Sequence, residues 1–337
     1  MWAVAFQLDG KHVLSGTTDG IRRWRLADGQ EVGEQTGTGM RLQAIAVSRD
    51  GKWIICGAYN AGASVWDGET QEKVIHVEGE DTVDAVDVSP DSTSFATATR
   101  GEPGEASIWS IPAGRRLVGP LIHATDVDDI RFSPNGEHIA TACGENIRIF
   151  DSQTGDILVT INADLPTLWG AIRTTFAWSS DGRQIFAVSN ANYITKIRAF
   201  DTSTGTALAE SQELRDSGMH IPSIALAPNG KLIATHAYRS ISFLDTSTLA
   251  RIGPVIEDDE QIRSIAISPD STRLATARVD GKIAIRDLRK ILPFSYAPTN
   301  VRICPLCRSI SHINKICRYL FMNEFKRFFH PRMNHSM

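Results

Sequence analysis

The residues of this 337-residue chain with the sharpest potential for chemistry crowd near its C-terminal end. Cys304 and Cys307, His312 and Cys317 follow a C-x2-C-x4-H-x4-C spacing, which can wrap soft ligands around a tetrahedral zinc ion in a short loop that binds single-stranded nucleic acid. The intervening residues argue against it. Arg308 and Ser311 stand where the tight turns of such a loop need glycine, and Pro305 stands where a base-stacking aromatic belongs. A second pattern overlaps the first. Ile313, Ile316, Leu320, Phe321, Phe325, Phe328 and Phe329 recur at helical spacing, with Lys315, Arg318, Lys326 and Arg327 on other faces, as in a basic amphipathic helix that docks on a membrane surface or a partner. The compact loop and a helix starting near Ser311 exclude one another. A third reading, an extension without structure, is favoured by the abrupt end of a repeat pattern at Leu288. No metal and no cofactor is therefore expected.

The rest of the chain holds no catalytic grammar. It has no Gly-x-Ser-x-Gly elbow, phosphate-binding loop, His-Glu-x-x-His pair or dinucleotide fingerprint. Its nine histidines are scattered, and His123, His138 and His236 read as structural groups near turns. The expectation is not an enzyme, with no small-molecule substrate. Charge divides the chain. After Pro293 stand seven Lys/Arg and one acid, Glu324, a balance of +6; the remaining 28 basic and 38 acidic residues give −10. Residues 1–293 and 294–337 are thus expected to be separate objects, with nucleic acid or membrane reached only through the basic tail. No apolar run is long enough to span a bilayer, the N-terminus lacks the basic lead-in of a signal peptide, and the five cysteines are too few for a disulfide scaffold, so a cytoplasmic or nuclear setting is expected.

Whatever function residues 1–293 carry must be positioned by a repeat. Seven tetrads begin at Gln7, Ser48, Ser89, Ser133, Ser179, Ala227 and Ser268, most of them variants of Ser-Pro-Asp-Gly. Each has the composition of a type I turn, with Pro tolerated second, Asp or Asn third and Gly fourth. The flanking residues alternate as half-buried strands do, for example Ile45 and Val47 before one tip, Ile54 and Cys56 after it. Each repeat is therefore a small antiparallel sheet. The third segments close with Trp24-Arg25, Trp66-Asp67, Trp109-Ser110, Phe150-Asp151, Phe200-Asp201, Leu244-Asp245 and Arg286-Asp287.

These tetrads and dipeptides resemble the WD40 repeat family from Trp2 to about Leu292. The resemblance implies an all-β, seven-bladed WD40 β-propeller, each dipeptide aromatic packing between blades and each Asp tying a turn. Only Trp66-Asp67 is the full dipeptide, and Arg286 departs furthest. The family's His, about ten residues before the tetrad's Ser, is matched by His123 alone, so most blades are expected to lack the family's Trp-Ser/Thr-His-Asp network and to pack mainly through apolar contacts. The chain opens inside the innermost strand of blade one. The last outer strand must then come from Lys290 to Tyr296 or be missing, and the sequence reads as having lost an upstream segment. It looks most like the regular WD40 arrays of fungal genomes, some of which follow a nucleotide-binding NACHT domain.

Tetrad starts are 41, 41, 44, 46, 48 and 41 residues apart. The surplus falls in two turns, 100–105 and 190–195, and two blade entries, 163–173 and 211–220. In a propeller these connections open on one end, so the insertions are expected to converge beside blades three to six. Loops vary where a scaffold meets its partner, and aromatic, Met and Arg side chains make anchors. The expected contact residues for a protein or peptide partner are Arg100, Glu105, Leu168, Trp169, Tyr193, Met219 and Arg239. Acids at Glu78, Glu80, Asp81 and 257–260 on the same end favour a basic partner.

Overall fold

In the computed structural model each tetrad is a hairpin tip built by its own side chains. Ser48 Oγ donates to Asp50 Oδ1 at 2.6 Å and accepts from Trp53 N at 2.9 Å, while Gly51 N donates to the Ser48 carbonyl at 3.0 Å. The pattern recurs at Ser89, Ser133, Ser179 and Ser268. The fourth tetrad residue has positive φ in all seven tips, between 57° and 77°. Glycine enters that region without cost, whereas Ser92 and Ser271 do not. Ser271 Oγ accepts from Asn229 N of the preceding tip at 3.2 Å, which offsets part of the strain.

The structure describes residues 3–296 apart from 34, 35, 38, 80, 145, 164–173, 192, 193, 216–221 and 294. The chain divides into two units, Met1–Ala297 and Pro298–Met337, and all described residues lie in the first. Seven antiparallel sheets follow one another, strand order equal to sequence order. The first runs Ala3–Phe6, His12–Gly16, Gly20–Arg25 and Thr36–Gly37; the sixth runs Ile224–Leu226, Leu232–Ala237, Ser240–Asp245 and Ile256–Glu257. Seven apolar clusters lie each between two successive sheets. One joins Val4, Phe6 and Val13 of the first sheet to Ala275 and Ala277 of the seventh. The ring is therefore closed, and every blade covers its neighbour.

Blade seven has three strands among the described residues, Ile262–Ile267, Arg273–Arg278 and Ile283–Asp287. The proposed strand at Lys290–Tyr296 is corrected: Leu288–Lys290 is a 3-10 turn capped by the Asp287 carboxylate, and a bend follows. The cause is one residue. In the other six blades the turn into the outer strand places its fourth residue after the dipeptide at positive φ, at Gly29, Gln71, Gly114, Gly155, Gly205 and Leu249. The equivalent residue is Ile291, at φ −111°. A β-branched side chain is a poor occupant of the left-handed region, so the hairpin turn is not made. Leu288 and Leu292 pack instead against blade six, and the Tyr296 hydroxyl donates to Asp245 Oδ2 at 2.9 Å.

Candidate functional site

Backbone hydrogen bonds bring the second-to-third turns and the blade entries to one end of the ring. Tyr59 N donates to the Arg41 carbonyl, Arg100 N to Thr82, Val127 N to Thr99, and Ile262 N to Tyr238. Of the residues expected to make contacts, Arg100, Glu105 and Arg239 lie in this zone or next to it. Leu168, Trp169, Tyr193 and Met219 lie outside the described residues, as does Glu80.

Arg100 is not a free anchor. Its Nε and one terminal nitrogen reach the two oxygens of Asp84 at 2.8 and 3.2 Å, and that carboxylate is 2% exposed. Asp126 lies 4.0 Å from Arg100 Nε and accepts from Gly101 N at 2.9 Å, so the lengthened turn is pinned by acids. Asp128 accepts from Thr174 N at 3.2 Å. Burial pushes its carboxyl up to about 7, with Asp126, Asp84 and Asp129 adding repulsion. Beside it, Asp129 takes the Arg131 Nε at 3.1 Å and accepts from Phe176 N at 3.1 Å, and Asp87 accepts from Phe132 N at 2.8 Å. An innermost strand has no sheet partner on one edge, and these carboxylates satisfy its N–H groups from the preceding blade. Glu105 lies in the strand Gly104–Ser110, its backbone N–H bonded to Thr99 Oγ1.

Arginine over tyrosine marks two other blades. The Arg41 guanidinium stands 5.3 Å from the Tyr59 ring centroid, and Arg239 stands 5.3 Å from that of Tyr238. Tyr59 is 45% exposed. Neither Tyr59 nor Arg41 was among the expected contacts, yet a signal was present: Tyr59, Arg100 and Tyr238 each stand eleven residues after the start of their tetrad, where the second-to-third turn begins. The end of the ring thus has an acidic sector on blades three and four and cation–aromatic pairs on blades two and six.

The dipeptide side chains are engaged within the ring. Trp24 Nε1 donates to Ser15 Oγ and Trp109 Nε1 to Thr97 Oγ1, both at 2.9 Å. Trp66 has Cys56 at the corresponding position and donates instead to Ser64 Oγ at 2.8 Å. Phe150 packs edge-on against His123, which meets Thr141 Oγ1 at 3.3 Å. Burial pushes the His123 ring down to about 4, which keeps it neutral. Phe200 is buried, and Asp67, Asp151, Asp201 and Asp245 each accept two backbone N–H groups of the following turn. Blade seven inverts the chemistry. Arg286 donates to Thr276 Oγ1 at 3.0 Å, the bond that tryptophan makes in blades one and three. Its other terminal nitrogen is paired with Asp258, ten residues before Ser268, which also holds Arg278 at 3.3 Å. A carboxylate and a guanidinium replace histidine and indole, and the hydroxyl between them is kept.

A family model described as "WD domain, G-beta repeat" matches residues 116–151 and 253–287, each segment running from an outer strand to the next blade's dipeptide. Over 149 residues the chain is 28% identical to "Small ribosomal subunit protein RACK1" of Caenorhabditis elegans, covering 42% of this chain and 44% of that protein. Over 250 residues it is 24% identical to "Eukaryotic translation initiation factor 3 subunit I" of Lodderomyces elongisporus, covering 68% and 69%. The chain spans less than half the length of the first of these relatives. Among solved structures, a chain of "Kuenenia stuttgartiensis Hydrazine Synthase" superposes with a TM-score of 0.70 at 12% identity, covering 85% of this chain and 95% of that one, a likeness of fold. Seven closed blades, the tetrad tips and the dipeptide hydrogen bonds make this chain a seven-bladed β-propeller whose matched repeats are of the WD40 type.

Proposed function

We propose that the chain is a non-enzymatic interaction scaffold that holds a protein or peptide partner on the end of the ring carrying the turns and blade entries. The observation that supports it is the presence on one end of cation–aromatic pairs, Arg41 with the exposed Tyr59 and Arg239 with the half-buried Tyr238, and of the half-exposed carboxylate of Asp126 above the buried Asp84. Tyrosine and arginine are the side chains that most often carry binding energy at interfaces, and a surface of two signs selects a partner of complementary charge order. In this reading Arg100 and Glu105 shape the acidic sector, Arg239 and Tyr238 make contact, and Leu168, Trp169, Tyr193 and Met219 extend the contact from the inserted segments. The relatives named as parts of a ribosomal subunit and of an initiation factor are consistent with a component of a larger intracellular assembly.

The test is capture from a lysate by four proteins: wild type, Tyr59→Ala/Tyr238→Ala, a variant with 100–105 and 163–173 shortened, and a deletion of 294–337. Loss of the same partner in the second and third, with retention in the fourth, is expected. Retention in the second and third would overturn the reading. Salt-sensitive capture lost only in the fourth would instead assign the activity to the basic tail.

A further inference from the structure

On the tetrad end, the turn into a blade's outer strand stands against the outer strand of the blade before it, as Gly114 does against Ile75 and Gly155 against Val118. Between blades six and seven the chain fills the groove beside this contact itself. Leu232, Phe243 and Ile252 face Leu288, and Leu292 folds back over them until Ile252 and Leu292 are each 6% exposed. Gly253 leaves the room, since a Cβ there would lie 3.3 Å from Leu292 Cδ2. Arg289 and Lys290 follow Leu288, with Arg289 donating to both oxygens of Asp287 in the same segment at 2.9 and 2.8 Å, and Tyr296 fastens the segment to Asp245.

The equivalent positions between blades four and five, counted from tetrad and dipeptide, are His138, Ile149, Leu158 and Thr202. Here nothing of the described chain fills the groove. Leu158 is 48% exposed and its neighbour Ile157 is 56% exposed. A cavity of about 330 Å³ opens between Leu158, His138 and Asp181. Its surroundings are anionic: Asp181 lines it, Asp151 pairs across the sheet with His138, and Asp201 precedes the lining residues Thr202 and Ser203.

We infer that this groove takes a short segment of a protein partner presenting one leucine or isoleucine beside a lysine or arginine, as residues 288–292 do in the groove two blades away. The aliphatic side chain covers Leu158, and the cation stands against Asp181. This site lies on the opposite end from the proposed docking face and is independent of it.

The probe is a fluorescent peptide of the sequence of residues 287–296, Asp-Leu-Arg-Lys-Ile-Leu-Pro-Phe-Ser-Tyr, titrated with the whole protein in an anisotropy assay. Saturable binding is expected. Covering half a leucine is worth about tenfold in affinity, so Leu158→Arg should weaken binding at least that much. Leu158 is exposed, and an unchanged melting temperature verifies that the variant folds. Val74→Arg, at the matching position of blade two, and Tyr59→Ala/Tyr238→Ala, on the far end, should bind as wild type does. No saturation up to about 1 mM peptide, or equal binding by Leu158→Arg, would overturn the inference. A dimer of the wild type that Leu158→Arg dissolves would assign the groove to a second copy and overturn a foreign partner.

Discussion

Replacing Asp258 with alanine tests whether blade seven has exchanged a neutral hydrogen-bond network for a charged one. The Asp258 side chain is 1% exposed and holds Arg278 and Arg286, themselves 14% and 18% exposed. Removing one member of a buried ion pair typically costs about 3–5 kcal/mol, because the surviving charge is left desolvated. Arg278 retains Asp280 at 3.1 Å, and both guanidiniums keep some contact with water, which places the expected loss near the low end, about 3 kcal/mol. An unfolding entropy of about 2.1 cal/mol/K per residue over a ring of roughly 290 residues converts that loss into a fall of about 5 °C in melting temperature. The second arm is Arg286→Trp, which restores the indole donor for Thr276 while leaving Asp258 to Arg278. Arginine and carboxylate act as a unit if the double variant Asp258→Ala/Arg286→Trp loses less than the sum of the singles by about 1–2 kcal/mol in urea melts. Additivity within about 0.5 kcal/mol would refute the exchange, leaving Arg286 as an isolated departure from the repeat.

Leu292→Ala removes the side chain that closes the groove on blade six and should cost about 2–4 kcal/mol, exposing Ile252; limited proteolysis after Tyr296 should quicken, and unchanged protection would refute the packing role. Stability should carry two opposed pH dependences. The Asp128 carboxyl is raised from 3.8 to about 7, so its contribution is full below 3.8 and is lost as pH rises to 7. The His123 ring is lowered from 6.5 to about 4, so its contribution is present above 6.5 and is lost as pH falls to 4. Asp128→Asn should therefore raise the melting temperature at pH 7.5 more than at pH 4.5, and His123→Gln should flatten the acid limb; identical shifts at both pH values would contradict the assignment. Trp109→Phe, which strands the Thr97 hydroxyl, should cost about 1 kcal/mol by urea melt, and an unchanged melt would refute a role for that hydrogen bond.

The blade count and the tetrad tips were legible because turn chemistry is local: a serine hydroxyl, an Asx side chain and a residue at positive φ suffice. The dipeptides were legible for the same reason, since each Asp binds the turn that follows it. The third strand of blade seven ends at such an Asp, and the sequence left the outer strand either at Lys290–Tyr296 or missing, of which the first is corrected. The signal against that strand is Ile291, which stands where the other six blades have a residue at positive φ. Of the candidate site, the geometry of the turns was legible and the surroundings of Arg100 were not. A sequence shows an arginine in a long turn; it does not show that Asp84, sixteen residues earlier, lies against it. The Arg286–Asp258 pair was half visible, one residue at the tryptophan position and the other at the histidine position, but each alone looked like decay of the repeat.

That pair bears on how a ring of degenerate repeats stays closed. Stability in such an array is roughly the sum of blade and interface contributions, and a single weak interface is the place where the ring opens. Blade seven lacks an outer strand among the described residues, and its third strand leaves Ile285 41% exposed. Its interface with blade one rests on Val4, Phe6, Val13, Ala275 and Ala277, with Leu26, Ala266 and Ile283 packed against them, the cluster with the fewest buried members of the seven. The buried charges sit in this blade, and Leu288 and Leu292 brace its other side against blade six. Tolerance of a blade with three strands among the described residues therefore follows from reinforcement on the blade six side. If so, the blade one side opens first: hydrogen exchange should be fastest in Ile283–Asp287 and Ala3–Phe6, and slowest between blades three and five. Uniform protection around the ring would show that three described strands in place of four cost nothing locally.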